Sequence, residues 1–231
     1  MKERITAIIL MAGVGKRMNS DVPKQYIMVK DKPIIYYTIK AFEESNIDDI
    51  VLVTGKDDVE YCKNNIVRHF GFQKIIKVVA GGKERYNSVY NGLEAIDESS
   101  YVLIHDGARP CINKNQINHM IDKVKENKAC IMGVQVKDTI KIVDDNDNII
   151  DSPDRAYIWQ AQTPQAFEFN IIKKAYKHII DNVVGCKVTD DAAVWCMYTN
   201  EPVKMIMGTY ENIKVTTPYD MEIVVNYIEK P

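Results

Sequence analysis

The sequence predicts an α/β fold: a mostly parallel sheet covered by helices, with one protruding β-hairpin arm. Three observations carry this. Short apolar runs, such as Ile5–Met11, Asp49–Thr54 and Tyr101–His105, alternate with longer stretches of helical periodicity. Strands that are apolar on both faces belong in a sheet covered on both sides. Glycine or acidic residues stand where the runs end, at Gly13 and Gly15, at Gly81 and Gly82, and at Asp106; in parallel sheets ligands sit beyond the carboxyl ends of the strands. Between Gln135 and Gln162 the alternation gives way to two extended pieces around a polar turn.

The first run empties into a loop whose Gly13 and Gly15 let backbone N–H groups approach an anion closely. Lys16, Arg17 and Lys24 follow within a few residues. Exposed amides and fixed positive charge together suit a polyphosphate whose charge must be held while a bond breaks. Two better-known phosphate loops fail the comparison. A Walker loop needs glycine where Leu10 stands and Ser or Thr where Arg17 stands, and the dinucleotide fingerprint needs a small residue where Met18 stands. The plainer alternative is a strand-to-loop turn with Lys16 and Arg17 as solvated charge.

The other elements follow in order. Pro33 opens a helix through Phe42 to Ser45, with Ile35, Ile39 and Phe42 on one face. Asp49–Thr54 reads as a buried strand, Asp57–Phe70 as a helix and Lys74–Ala80 as a strand; Gly81-Gly82 then breaks the chain before a helix over Glu84–Ile96. Tyr101–His105 is a strand ending in Asp106, Asn113–Asn127 a helix and Ala129–Val134 a strand. Val136–Val143, a turn at Asp144–Asn148 and a return through Trp159 read as the arm. Helices are expected over Phe169–Ile180 and Asp190–Tyr198, strands over Val203–Met207 and Ile213–Thr216, and a closing helix over Pro218–Ile228. There is no repeat, low-complexity tract or linker. Residues 1–231 therefore read as a single domain, with 135–162 as an excursion from it.

Composition bounds the function. The 231 residues are 46% hydrophobic and 27% charged, which suffices for a substantial core. With 30 basic and 32 acidic side chains the net charge is −2, and this gives no electrostatic case for binding nucleic acid or an anionic membrane. No apolar run approaches the ~20 residues needed to span a bilayer. Lys2 and Arg4 before Ile5–Ala12 imitate a secretory signal, but the run is short and breaks into a basic glycine loop with no small-x-small cleavage site. Cys62, Cys111, Cys130, Cys186 and Cys196 are odd in number and lack CxxC spacing. They fit a reducing cytoplasm rather than a disulfide framework or a zinc site.

Two further segments carry chemistry. Gly81-Gly82-Lys83-Glu84-Arg85-Tyr86-Asn87-Ser88 follows a strand and opens a helix, which places amides and a hydroxyl where a nucleotide can bind; an ordinary strand–helix turn is the alternative. In Val102–Pro110, Asp106 at the carboxyl end of a buried strand can hold a hard divalent cation, or can serve as a turn residue before Pro110. His105 reads as structural, because nothing near it supplies nitrogen ligands or a nucleophile.

Taken together these motifs resemble the 2-C-methyl-D-erythritol 4-phosphate cytidylyltransferases. The resemblance also runs through Pro23-Lys24-Gln25, Lys137-Asp138-Thr139-Ile140-Lys141, Asp154-Arg155, Gln162-Thr163-Pro164-Gln165, Thr189-Asp190-Asp191-Ala192 and Asn212-Ile213-Lys214-Val215-Thr216. It implies a Rossmann-like nucleotidyltransferase sheet and a homodimer clasped by the arm. The reaction it implies joins CTP to methylerythritol phosphate and releases pyrophosphate, in non-mevalonate isoprenoid synthesis. By the same resemblance Arg17 and Lys24 stabilise the transition state, and Ala12, Gly13, Gly15, Gly82, Arg85 and Ser88 surround the nucleotide. Asp106 holds Mg²⁺. Arg155 and Lys214 hold the sugar-alcohol phosphate, with Thr139 and Arg155 arriving from the partner's arm and Thr189 lining the pocket. Two positions depart from the pattern: Met11 stands where the family usually has alanine, and Glu211 where it commonly has aspartate.

The rival readings are a cytidylyltransferase for ribitol 5-phosphate, which would share the CTP loops, and a nucleotide-binding module without turnover. The first is disfavoured by Asp154-Arg155 with Ala156-Tyr157-Ile158-Trp159, the second by the presence of Arg17, Lys24 and Asp106. A dehydrogenase is disfavoured by Met18.

Overall fold

A computed structural model describes residues 3–13, 23–182 and 188–229. In chain order it runs β1 (Ile5–Met11), β2 (Met28–Val29), β3 (Lys32–Pro33), α1 (Ile34–Glu43), β4 (Asp49–Thr54) and α2 (Val59–Tyr61), which widens into a π-helical stretch, Cys62–Arg68. There follow β5 (Ile75–Ala80), α3 (Arg85–Glu94), β6 (Tyr101–Asp106), α4 (Lys114–Asn127) and β7 (Ala129–Gln135). The arm contains β8 (Ile142–Val143) and β9 (Ile149–Asp151); the chain then continues through β10 (Trp159–Glu168), α5 (Phe169–Asn182), α6 (Asp191–Thr199), β11 (Lys204–Met207) and α7 (Pro218–Glu229).

Among the described residues, seven strands form one sheet in the order β11-β7-β10-β6-β1-β4-β5. Strand β1 is flanked by β4 and β6, both parallel to it, and β5 is parallel to β4. Register brings the carboxyl ends of these strands level: Leu10 lies opposite Asp106, Met11 opposite Thr54, and Thr54 opposite Ala80. Side chains alternate across a strand, so Ile8 and Ile9 of β1 enter different cores. Ile9 packs with Ile39 and Phe42 of α1 and Ile117 and Met120 of α4, whereas Ile8 packs with Val89 and Leu93 of α3 and Tyr176 and Trp195 of α5 and α6. Each fully buried Ile contributes roughly 1.5–3 kcal/mol of transfer free energy, and this two-sided covering is what the apolar strands required.

The helices start where their caps dictate. Asn113 accepts from the N–H groups of Asn115 and Gln116, each at 3.1 Å, and Gln116 returns an acceptor to the Asn113 N–H at 3.0 Å, a capping box for α4. Asp190 caps α6 by accepting from the Ala193 N–H at 2.9 Å.

Four expectations need correcting. Trp159–Glu168 is a strand in the middle of the sheet, antiparallel to both β6 and β7, where the sequence reading has only the end of the arm. Its buried residues include Gln162, Thr163 and Gln165, and its register shifts between Ala161 and Gln165 to pass Pro164. No apolar alternation marks such a strand. Ile213–Thr216 forms no strand; Val215 N–H donates to the Ala108 carbonyl at 2.8 Å, without a ladder around it. The arm is less regular than a full hairpin, since beyond the pairing of Gln135 with Trp159 at its root only β8 and β9 pair, and Arg155–Tyr157 is a 3₁₀ turn. Asp57–Phe70 is helical but mixed, opening in a 3₁₀ turn at Lys56–Asp58.

Gly107, directly after Asp106, sits where β1 and β6 end together. Its N–H donates to the Leu10 carbonyl at 2.8 Å, and a Cβ there would lie 2.7 Å from Ile35 Cδ1 and 3.0 Å from the Leu10 carbonyl oxygen. Gly107→Ala should therefore destabilise the fold by about 1–3 kcal/mol, the cost of forcing volume into packed core and backbone. Urea unfolding checks it, with a lowered midpoint and an unchanged slope expected.

Candidate active site

The carboxyl edge of the sheet holds a cleft built from the ends of β1 and its neighbour β6 and from the loop after β5, one strand beyond β4. Ala12 and Gly13 leave β1, Gly82 follows β5, and Asp106 ends β6; Lys24, Arg85, Ser88 and Lys214 complete the lining. The backbone at Gly82 is folded tightly on α3: an added Cβ would stand 2.3 Å from Asn87 Cβ and 3.2 Å from the Asn87 carbonyl carbon. Only glycine allows that approach. The Gly82 N–H donates to Ser88 Oγ at 3.0 Å, and Ser88 Oγ donates to the Glu84 carbonyl at 3.2 Å. A second cleft adjoins the first and shares Arg85, Asp106 and Lys214 with it; its far wall includes Arg109, Thr163 and Thr189.

Charge is concentrated where the clefts meet. Lys214 Nζ lies 2.7 Å from Asp106 Oδ2, and Arg85 Nε lies 3.4 Å from Asp106 Oδ1. Burial alone would raise the Asp106 pKa, but Arg85, Lys214 and Arg109 outweigh it and hold the carboxyl well below the usual carboxylate range. Arg85 in turn places its two terminal nitrogens on the two oxygens of Asp191, at 2.7 and 2.8 Å. Asp191 is fully buried and also accepts from the hydroxyl of the fully buried Tyr176. Burial works against the Arg85 cation, yet Asp191 and Asp106 keep its pKa above the ordinary value. A carboxylate left alone in such a place would cost several kcal/mol, so the fork-to-fork pair fixes α3 against α6. Lys24 Nζ donates to the Val215 carbonyl at 3.0 Å, beside Lys214.

His105 behaves as its sequence context suggested. Its Nδ1 lies 3.0 Å from Thr163 Oγ1, and its Nε2 lies 3.3 Å from the Arg109 carbonyl. That carbonyl can only accept, which puts the proton on Nε2 and leaves Nδ1 to accept from the Thr163 hydroxyl. The hydroxyl oxygen in turn accepts from the Asp106 N–H at 3.1 Å. The ring is completely buried, and this burial pushes its pKa down to about 3. A neutral imidazole with both nitrogens engaged is a spacer that sets Asp106 and Thr163, not a proton carrier.

The structure thus brings Ala12, Gly13, Lys24, Gly82, Arg85, Ser88, Asp106 and Lys214 to one cleft and Thr189 to its neighbour. Thr139 and Arg155 lie on the arm and line neither cleft of their own chain. Gly15 and Arg17, with Val14, Lys16 and Met18, lie outside the described residues. Met11 packs in the core that holds Ile9 and also forms part of the cleft wall, while Glu211 is exposed and lines neither cleft. Sequence reasoning gave no role to Asp191, Tyr176, Arg109 or Asn212. The one local signal was the doublet Asp190-Asp191 at a helix start, where a single carboxylate suffices as a cap.

A glycine loop on the first strand, an acidic residue ending its neighbour and cations over the shared edge have the build of a Rossmann-like nucleotidyltransferase. The model of the 2-C-methyl-D-erythritol 4-phosphate cytidylyltransferase family matches residues 5–230. The chain belongs to that family, and so to the cytidylyltransferase enzymes of isoprenoid biosynthesis. It is 51% identical over 220 residues to the 2-C-methyl-D-erythritol 4-phosphate cytidylyltransferase of Lachnoclostridium phytofermentans, covering 95% of this chain and 94% of that one. The enzyme of the same name from Lachnospira eligens is 50% identical over 219 residues, with 94% and 96% covered. The crystal structure of 4-diphosphocytidyl-2C-methyl-D-erythritol synthase from Anaerococcus prevotii superposes with a TM-score of 0.86 at 35% identity, covering 99% of this chain and 97% of that one. These names favour the methylerythritol reading over ribitol phosphate and over a module without turnover.

The His105 environment predicts a pH dependence. Between about 3, the folded value, and the ordinary 6.5, the unfolded chain binds a proton that the folded chain refuses. Stability therefore rises with pH across that window, and the contribution is lost as pH falls through it, from about 6.5 toward about 3. From pH 7 to pH 5 this residue should cost about 2 kcal/mol, and His105→Gln should shrink the pH 7 to pH 5 difference by about that amount in urea titrations. An unchanged difference would mean that the folded protein accepts the proton.

Proposed function

We propose that the chain transfers CMP from CTP to 2-C-methyl-D-erythritol 4-phosphate, with the nucleotide in the glycine-lined cleft and the acceptor in its neighbour. The observation that carries this assignment is that the two clefts meet at Arg85, Asp106 and Lys214. An oxygen of the acceptor phosphate attacks the α-phosphorus in line. The new P–O bond forms as the bond from the α-phosphorus to the bridging oxygen breaks, and pyrophosphate leaves with that electron pair. A phosphate monoester is already anionic near neutral pH, so no general base is needed, in keeping with His105 being bonded at both nitrogens.

The chain's own part is to hold and neutralise charge. Gly13 and Gly82 present close backbone, and Ser88 fixes the Gly82 turn. Lys24, with Arg17, stabilises the charge that develops on the phosphates, and Lys214 exchanges Asp106 for the acceptor phosphate. Arg109 lines the acceptor side, and its buried Nε has no hydrogen-bond partner among the described residues, so a ligand oxygen there would satisfy it. Mg²⁺ suits Asp106, the one carboxylate common to both clefts among the described residues. Magnesium keeps several waters and takes one or two carboxylates plus substrate phosphates, so a fuller protein cage is not required. The ion would supply charge neutralisation at the triphosphate.

The arm supports a homodimer. Ile142, Val143, Ile149 and Ile150 are 45–64% exposed and Tyr157 is 82% exposed. A lone two-stranded ribbon cannot bury such residues and is marginal by itself. A second copy offers the missing surface, and Thr139 and Arg155 then reach the partner's acceptor cleft. A cytoplasmic location is supported by the free thiols of Cys62, Cys111, Cys130 and Cys196.

Pyrophosphate release from CTP and Mg²⁺ with methylerythritol phosphate or ribitol phosphate tests the reaction; turnover with ribitol phosphate alone would sink it. Lys24→Ala should lower kcat by on the order of 10² to 10³, because it removes charge needed mainly in the transition state. Near-normal turnover would remove Lys24 from that role. For the shared site, inactive Lys24→Ala protomers mixed with inactive Arg155→Ala protomers should regain activity, since one site of each mixed dimer carries neither lesion. Mixed dimers that form and stay inactive would mean that Arg155 serves its own chain.

A further inference from the structure

Residues 208–214 lead from the end of β11 to Lys214 and are held firmly along their length. Gly208 N–H donates to the Gly133 carbonyl at 2.7 Å, and Gln162 Nε2 donates to the Thr209 carbonyl at 2.9 Å. Further on, Asn212 is fully buried: its carbonyl accepts from Arg109 Nη1 at 2.7 Å and its side-chain amide donates to the Thr163 carbonyl at 2.9 Å. Between these anchors stands Tyr210, whose side chain reaches the root of the arm. Its hydroxyl donates to the Gln135 carbonyl at 2.9 Å, and Lys137 Nζ lies 3.7 Å from its ring centroid.

Both strands of the arm root are gathered at this point. Gln135 Nε2 donates to the Ala156 carbonyl at 3.2 Å, and Arg155 Nη1 donates to the Lys137 carbonyl at 3.0 Å. Val136 N–H donates to the Ile158 carbonyl at 3.1 Å. Bonds such as Lys141 Nζ to Ser152 Oγ, at 2.6 Å, tie one side of the arm to the other. Tyr210 comes from outside the arm, from the segment that also carries Lys214.

We propose that Tyr210 is a positioning residue: it fixes the arm root to the segment bearing Lys214, so that the arm's direction and the acceptor cleft of the same chain move as one unit. The inference rests on the arm delivering Arg155 to the acceptor cleft of a second copy. It makes the two acceptor clefts of a dimer mechanically linked, because a root that swings moves Lys214 of one site and Arg155 of the other. The ring and the hydroxyl have separate duties. The hydroxyl holds the end of β7, and the ring face holds the cation that begins the arm. A tyrosine at 43% exposure is there for these contacts rather than for core volume.

Hydrogen exchange and kinetics on the intact enzyme test it together. In Tyr210→Ala, exchange of peptides covering 133–143 and 154–160 should speed up about 10-fold, the equivalent of one lost hydrogen bond, with α4 unchanged. The KM for methylerythritol phosphate should rise about 5- to 10-fold while that for CTP stays within about twofold, a split that general loosening would not produce. Tyr210→Phe, which keeps the ring for Lys137, should fall between wild type and Tyr210→Ala, and Lys137→Ala should resemble Tyr210→Phe. Arm exchange that is unchanged in Tyr210→Ala and Lys137→Ala overturns the tether, as does faster arm exchange with both KM values unmoved. If the wild-type chain does not turn over methylerythritol phosphate, the functional reading fails by itself, and the exchange comparison still decides whether Tyr210 holds the arm.

Discussion

The carboxyl edge of the sheet depends on one buried charge relay, Asp191 to Arg85 to Asp106. Asp191 has no exposure to solvent, and its charge is met by the fork of Arg85 and the hydroxyl of Tyr176. Those partners come from the first turn of α3 and from α5, so the carboxylate can be satisfied only when three helices stand in one arrangement. Removing one partner of such a pair leaves a buried charge and costs about 3–5 kcal/mol. The relay thereby converts a desolvation penalty into positional accuracy for Arg85, and Arg85 with Lys214 keeps Asp106 ionised against its own burial.

That arrangement explains how a site can stay anionic at its centre while serving a triphosphate. Asp106 would repel substrate if it stood alone. Flanked by Lys214 and Arg85, with Arg109 on one side and Lys24 on the other, it is a minority charge in a cationic edge. In the proposed reaction the same carboxylate has reason to remain ionised, since a divalent cation needs a hard anionic oxygen. The neighbouring imidazole has been taken out of the acid–base chemistry by burial and by two hydrogen bonds.

Much of this was legible in the chain itself, and the reason is local. The strands Asp49–Thr54 and Tyr101–Asp106 declare themselves because they are short, apolar and closed by a turn or an acid. Gly82 and Gly13 declare themselves because glycine after an apolar strand marks a turn with exposed amides, whatever lies far along the chain. What stayed hidden is held by partners far along the chain. Asp191 is defined by an arginine 106 positions away, and Asn212 by contacts to Thr163 and Arg109, 49 and 103 positions away. No window of sequence shows those pairs. Strand β10 was missed for the same reason: Gln162, Thr163 and Gln165 read as loop residues until Asn212, the Asp106 N–H and Asp190 supply their partners.

The hidden strand is also the one that organises the ligand edge. Because β10 runs antiparallel between β7 and β6, the chain leaves β7 at the carboxyl edge and re-enters the sheet at that same edge. A parallel successor would have needed a crossover of a dozen or more residues over a face of the sheet, carrying the connection away from the ligands. Reversing a single strand lets those residues become an arm standing beside the site. The same reversal points the start of β10 past the end of β6, which sets Thr163 against His105 and the Asp106 N–H. One topological choice thus supplies both the inner wall of the second cleft and the outward limb, because Ala161, Gln162 and Thr163 line the one and the residues before Trp159 form the other.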